Sequence, residues 1–114
     1  MHCKIVRPLS AVVVIALAGA PSVLGQDRSA VEKRGEALLS KNCARCHAIG
    51  RTGTSPHPEA PLFRALSRRY PIDGLAEALA EGLSVGHPDM PEFIFDADEV
   101  RAILAYLASI QESR

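Results

Sequence analysis

Residues 43–47 of this 114-residue chain read Cys43-Ala44-Arg45-Cys46-His47. Two cysteines with two residues between them, followed at once by histidine, are typical of a c-type haem attachment site. One turn of chain can present both thiols to the two vinyl groups on one edge of a haem. The histidine then lies under the ring, where its imidazole can bind the iron. The stretch predicts thioether bonds at Cys43 and Cys46 and an axial ligand at His47.

Two other uses of a Cys-x-x-Cys pair have to be weighed. A structural zinc site needs two further ligands, and the candidates are His57 and His87, at spacings unlike those of common zinc modules. A thioredoxin-like dithiol needs a strand–helix–strand context, whereas no stretch of this chain shows sustained alternation of apolar and polar residues. The surrounding sequence therefore favours haem attachment.

The first 25 residues have the pattern of a secretory signal peptide. Lys4 and Arg7 precede an uncharged run over residues 9–20, and small or neutral residues follow up to Gly25. The run is shorter than the roughly 20 residues of a membrane span, although an uncleaved N-terminal anchor is the alternative. We expect residues 1–25 to be removed and residues 26–114 to form one domain in a bacterial periplasm, without stable membrane insertion.

Composition agrees with a domain built around a cofactor. Cleavage would remove Cys3 and two basic residues, leaving Cys43 and Cys46 as the only thiols and 11 basic against 13 acidic residues. Aromatic residues make up 4% of the chain and there is no Trp, so the protein supplies little bulky core of its own. Small domains often depend on a metal, a disulfide or a cofactor for stability.

The charges are unevenly distributed along the chain. Residues 41–69 hold six basic residues and one acidic residue, whereas residues 73–99 hold eight acidic residues and no basic ones. Such a dipole can steer encounters with charged partner proteins, although solvated helix faces explain the pattern equally well. The basic stretch lacks the dense charge and the interleaved aromatic residues of a nucleic-acid surface.

The remainder of the sequence predicts an all-α domain. Ser29 with Glu32, and Asp96 with Glu99, form capping-box patterns at the starts of a first and a last helix. One short helix is expected to start at Leu62 and to end at Tyr70-Pro71, and a second is expected from Asp73 onward, closed by Gly82 and Gly86. The apolar positions that define the second short helix and the last helix are Leu75, Leu79, Leu83, Val100, Ile103, Leu104, Leu107 and Ile110. Turn-rich loops over 47–61 and 86–93 separate these helices.

Met90 is the first candidate for the second axial ligand of the iron. It lies in the Pro-bounded loop Gly86-His87-Pro88-Asp89-Met90-Pro91-Glu92-Phe93. A thioether is a soft ligand that suits haem iron and raises its reduction potential relative to a second histidine. His87 and His57 compete for the role, but histidines in polar loops are usually solvated.

Taken together, these features resemble the class I monohaem cytochromes c of the small bacterial kind. The resemblance covers residues 35–110 and rests on the Cys43–His47 motif, Pro61-Leu62, the Met90 loop and Ala105-Tyr106-Leu107 near the end of the last helix. It implies a cytochrome c fold of four to five short helices wrapped around one covalently bound haem c. The chain departs from the family pattern at Leu39, where many members carry an aromatic residue.

The resemblance also implies roles for individual residues. Gly35 and Tyr106 match the positions where the first and last helices cross. Pro61 matches the proline whose carbonyl accepts a hydrogen bond from the proximal histidine, which would orient His47 and raise its basicity. Arg51, in the loop that follows, is a candidate for a contact with a haem propionate, because guanidinium groups pair well with carboxylates.

The expected function is one-electron transfer rather than catalysis, since no nucleophile–base pair is recognisable. The domain would shuttle electrons between periplasmic redox partners, such as a dehydrogenase and an oxidase, as a monomer. Alternatively it would be a dedicated haem subunit of an oxidoreductase complex. A third alternative is a ligand-binding or peroxidase-like haem protein with a labile sixth site.

Overall fold

The computed structural model describes residues 23–84 and 86–113, and within them the chain is helical with no strand. Helix α1 covers Val23–Asn42, α2 covers Ala76–Glu81 and α3 covers Ala97–Ile110. Two 3₁₀ helices, Phe63–Arg68 and Ile72–Leu75, lie between α1 and α2, and the second leads directly into α2. The described part of the chain thus contains four helical stretches, which confirms the all-α prediction.

Helices α1 and α3 cross at Gly35, as the resemblance implied. A methyl carbon at position 35 would overlap the carbonyl oxygen of Ala102 and lie 2.9 Å from Cβ of Tyr106. Glycine is therefore the residue that lets the two helix backbones come this close. This contact fixes α3 against the helix that carries the Cys43–His47 motif at its end.

The core lies on the inner face of α3. Ile103 is completely buried, and the buried stripe of α3 meets side chains from α1, α2 and both 3₁₀ helices. The other buried members of this cluster are Leu39, Phe63, Leu66, Ile72, Leu79, Phe95, Val100, Tyr106, Leu107 and Ile110. The predicted stripe of the last helix is thus correct, except that Leu104 is only partly buried.

The predicted capping box of the last helix is confirmed. The backbone N–H of Glu99 donates to Oδ1 of Asp96 at 2.8 Å, and the backbone N–H of Asp96 donates to Oε2 of Glu99 at 3.1 Å. Two otherwise unpaired backbone donors at the start of α3 are satisfied in this way.

Two predicted helix starts are wrong, and one predicted helix end is confirmed. Helix α1 begins at Val23 rather than Ser29, because no proline interrupts the preceding residues and the Arg28–Glu32 pair, 3.1 Å apart, supports a helix that is already formed. The helix expected from Asp73 begins with a 3₁₀ turn at Ile72. The predicted end at Gly82 is confirmed, because this residue adopts a positive φ of 118° that stops the helix before Leu83, the last position of the predicted apolar repeat.

The C-terminal residues after α3 hold the first 3₁₀ helix in place. The side-chain amide of Gln111 accepts from the backbone N–H of Ser67 and donates to the carbonyl of Phe63, both at 2.9 Å. Arg64 donates through Nε to Glu112 at 3.0 Å. These contacts fix Phe63, whose ring lies against His47.

The signal peptide predicted for residues 1–25 lies almost entirely outside the described residues, and its proposed end falls in the first turn of α1. Among the helices of the described ranges, none combines the length and the apolar character needed to cross a membrane.

Candidate cofactor site

The Cys43–His47 motif continues from the C-terminal end of α1. The backbone N–H groups of Cys43 and Ala44 both donate to the carbonyl of Leu39, at 2.8 and 3.1 Å, and that of His47 donates to the carbonyl of Cys43 at 2.9 Å. The chain therefore makes further helix-like turns beyond Asn42. These turns bring both thiols and the imidazole to the edge of one cavity.

This cavity has a volume of about 290 Å³ and is predominantly apolar. Five of the six predicted site residues line it. Cys43, Cys46, His47 and Pro61 come from the motif and the following loop, and Met90 comes from the loop before α3. Cofactor sites are usually concave, mostly apolar and equipped with a few placed polar groups. The cavity has these properties.

His47 is held in one orientation by two neighbours. Its Nδ1–H donates to the carbonyl of Pro61 at 2.8 Å, and its ring lies 4.6 Å from that of Phe63, centroid to centroid. A carbonyl can only accept, so Nδ1 carries a proton, and in the neutral imidazole the lone pair is then on Nε2. This is the tautomer that an imidazole needs to bind a metal through Nε2.

The two thiols are both free and half-buried. Burial and, to a smaller extent, the neighbouring Cys46 raise the pKa of the Cys43 thiol to about 11. The thiol is therefore neutral at ordinary pH, which disfavours a role as a redox nucleophile. Haem attachment uses the sulfurs in neutral thioethers, so a neutral, partly buried pair suits it.

Met90 lies in the loop that joins α2 to α3. Its backbone N–H donates to the carbonyl of His87 at 3.2 Å, which closes a turn, and its side chain is half-buried at the cavity. His47 and Met90 thus line one cavity although 43 residues separate them in sequence. The donor set of two thiols, an Nε2 lone pair and a thioether fits a c-type haem with His/Met ligation.

Arg51 is not brought to this cavity. Its guanidinium donates to the carbonyl of Ser109 near the C-terminal end of α3, where the unpaired carbonyls of a helix attract cations. It does not line the cavity. The expected propionate contact has no support in this arrangement, because the guanidinium is engaged by the carbonyl of Ser109 instead.

Four side chains, two of them the histidines interpreted as solvated loop residues, form a cluster at the mouth of the cavity. We call His57, Glu59, His87 and Asp89 the histidine–carboxylate cluster. Nε2 of His57 lies 3.4 Å from Oδ2 of Asp89, and Nε2 of His87 lies 3.0 Å from Oε2 of Glu59. Each loop therefore supplies a histidine to the carboxylate of the other loop.

A repeated tripeptide accounts for this exchange. His57-Pro58-Glu59 and His87-Pro88-Asp89 share the order histidine, proline, acid. In both, the backbone N–H of the acidic residue approaches Nδ1 of its own histidine, at 3.2 and 3.3 Å. Both rings therefore turn Nε2 toward the other loop. The repeat was visible in the sequence and is the signal that could have revealed the cluster.

The cluster changes the acidity of one of its members. The hydrogen bond from His87 and then its charge hold the pKa of the Glu59 carboxyl below the ordinary value of 4.5. Because that carboxylate is fully exposed, the pKa shift reports the geometry of the contact rather than a large contribution to stability.

Comparison with known families identifies the domain. The family described as cytochrome c oxidase, cbb3-type, subunit III matches residues 30–107, which include the whole cavity lining and the α1–α3 crossing. Neither a curated protein nor a solved structure matches the chain.

Proposed function

Because this chain belongs to the family of cytochrome c oxidase, cbb3-type, subunit III, a family of c-type cytochrome domains that bind haem c covalently, we propose that it transfers single electrons through a haem held as follows. Cys43 and Cys46 form the thioether bonds, and His47 and Met90 are the axial ligands. The haem supplies the one-electron couple of its iron, and the protein tunes the potential through ligands, burial and hydrogen bonds.

The observation that carries the proposal is the joint lining of one cavity by His47 and Met90. The hydrogen bond from His47 to Pro61 supports the proximal role, since such a bond orients the ring and increases the basicity of Nε2. With both axial positions filled from the protein, no substrate needs to reach the metal. We therefore expect an electron carrier without catalysis of its own.

We propose the bacterial periplasm as the location. Haem attachment through cysteine pairs together with the signal-like pattern of residues 1–25 supports this location. The partners would be a donor such as a dehydrogenase and an acceptor such as an oxidase, and the charge asymmetry between residues 41–69 and 73–99 would orient their encounters.

A second candidate function is favoured by the family match. The matched family is described as a subunit of an oxidase, so the chain could act as a fixed haem subunit rather than as a free shuttle. Purification from native membranes and periplasm separates the two, because a shuttle is recovered alone and a subunit is recovered with its complex.

The ligation is tested by Met90→Leu in protein matured with haem. Leucine nearly conserves the volume of methionine, so the substitution removes the sulfur without opening a large cavity. The ferric wild-type protein should show the methionine–iron charge-transfer band, and the variant should lose it and bind CO rapidly when reduced. In Met90→His the potential should fall, because a second imidazole replaces the thioether.

The matched control is Phe93→Leu, a change of another apolar residue that lines the same cavity. It should retain the charge-transfer band. A wild-type protein that lacks this band and binds CO rapidly would exclude Met90 as a ligand and support a haem protein with a labile sixth site.

A further inference from the structure

The histidine–carboxylate cluster has the composition of a transition-metal site. Within it, His57, His87 and Asp89 each offer one ligand atom, and these three atoms all lie within 4.8 Å of one another. Glu59 adds a second carboxylate, 3.0 Å from Nε2 of His87. Imidazole and carboxylate ligands together suit Zn²⁺ and its neighbours, whereas Ca²⁺ and Mg²⁺ are held by oxygen ligands.

The spacing is close to what a small ion requires. Ligands at 2.0–2.1 Å around a tetrahedral Zn²⁺ are separated from each other by roughly 3.3 Å. The two histidine–carboxylate distances in the cluster are 3.4 and 3.0 Å. The other distances between the ligand atoms of His57, His87 and Asp89 are at most 4.8 Å. These distances must shorten for an ion to be enclosed, so the loops need small movements rather than refolding.

The imidazoles are already oriented for such a role. The backbone contacts at Nδ1 turn both Nε2 atoms toward the other loop, and the two rings lie edge to face with centroids 5.2 Å apart. Their side chains are 26% and 33% exposed, so solvent can reach them while neighbours restrict their motion.

We propose that the histidine–carboxylate cluster binds one Zn²⁺ ion, which links the two loops at the mouth of the haem cavity. The ligands are His57, His87 and Asp89, and Glu59 lies next to them. The ion takes the place of the two Nε2 protons that now face the carboxylates. Each imidazole then carries its proton on Nδ1, and the backbone contacts at 3.2 and 3.3 Å open. Both contacts are long for hydrogen bonds, so little is lost.

The site does not depend on the proposed axial ligation. It uses none of the residues assigned to the haem, and the ion is redox-silent. Loss of the methionine band in a Met90 variant therefore tests one proposal, and Zn²⁺ binding tests the other.

Zn²⁺ binding is measured by isothermal titration calorimetry on the haem-loaded protein without a polyhistidine tag. Loaded protein is required because free Cys43 and Cys46 would themselves bind Zn²⁺, whereas thioethers do not compete for it. We expect one ion per chain, and the thermal midpoint should rise with added Zn²⁺ because the ion binds the folded state. Ca²⁺ at the same concentration should give neither effect.

Two variants locate the site. In His57→Gln and His87→Gln the amide can still donate to the opposite carboxylate, but it cannot replace imidazole as a Zn²⁺ ligand. Each should weaken Zn²⁺ binding by about tenfold or more, since even residues behind a metal ligand contribute 10–100-fold. Asp73→Asn, which removes an exposed carboxylate outside the cluster, should bind as the wild type does.

Wild-type affinity for Zn²⁺ in both glutamine variants, or an absence of binding by the wild type, would overturn the proposal. An NMR titration of the wild-type protein with Zn²⁺ provides an independent check. In the reduced protein, Zn²⁺ should shift the NMR signals of His57 and His87 before any others, and shifts confined to other residues would contradict the site.

Discussion

Tyr106 is both a core residue and a titratable group whose pKa is shifted by the fold. Its ring is buried where α1 and α3 cross, and its hydroxyl lies near Glu36 and Arg51. Burial, and secondarily the carboxylate of Glu36, raise the pKa of the phenol above its ordinary value of 10.0, although Arg51 acts in the opposite direction. The folded protein therefore favours the neutral phenol more than the unfolded chain does.

This predicts a specific pH dependence of stability. A group whose pKa is higher in the folded state stabilises the protein fully below its unfolded pKa, and the stabilisation is lost as the pH rises through the folded pKa. In the holoprotein, the free energy of unfolding by guanidinium should therefore decline above pH 10.0. In Tyr106→Phe that decline should be shallower.

Tyr70→Phe is the matched control, because it removes the same hydroxyl from an exposed ring. It should retain the wild-type decline. If Tyr106→Phe and the wild type lose stability in parallel above pH 10.0, the phenol of Tyr106 is not responsible.

At the scale of single residues, the sequence was informative wherever the chemistry is local. Cys43, Cys46 and His47 are placed by one turn of chain, so their spacing alone defines their arrangement. The approach of His57 to Asp89 depends on how two loops meet across a cavity, which local spacing does not determine. The same holds for Arg51, whose partner Ser109 lies 58 residues away.

Among the secondary-structure elements, the α1–α3 crossing leaves no room for a side chain at Gly35. Gly35→Ala places a methyl group against the backbone of Ala102, which cannot move aside as a flexible side chain could. Alanine would otherwise favour the helix by about 1 kcal/mol, but overpacking of this kind costs roughly 1–3 kcal/mol or more. We expect a net loss of unfolding free energy in Gly35→Ala, measured by guanidinium titration of the holoprotein.

Gly74→Ala is the control for this substitution, because a methyl group there meets nothing within 4 Å. Its unfolding free energy should stay within roughly 0.5 kcal/mol of the wild type, as for most surface changes. An equal loss of stability in both variants would mean that Gly35 is not needed for close helix contact.

A helix could be predicted from the sequence when the residues that define its ends and its buried face are close together in the chain. Helix α3 was recognisable because its capping box and its apolar stripe agree. The start of α1 was missed because the Ser29–Glu32 pattern also occurs inside a helix. The 3₁₀ geometry of Phe63–Arg68 was missed because contacts made by Gln111 and Glu112, far along the chain, hold that segment.

At the scale of the whole described chain, the core and the cavity share side chains, because Cys43 and Phe93 pack against the core cluster and also line the cavity. The core cluster packs around α3, whereas the loops over 47–61 and 86–93 contribute to the lining of the cavity. No backbone hydrogen bond joins these two loops in the described ranges; the histidine–carboxylate cluster joins them through side chains. The haem that this family binds covalently would thus supply the contacts that both loops lack.

It follows that the folded state should depend on the attached haem. A small domain gains little from its own core, and a group bound only by the folded state adds its binding free energy to stability. In Cys43→Ala/Cys46→Ala, which cannot form thioethers, we expect lower helical circular dichroism and no cooperative thermal transition. Wild-type chain produced without haem attachment is the control, because it keeps both thiols and should behave like the variant. A cooperative transition in the variant near that of the holoprotein would show that the helices and loops fold without the haem.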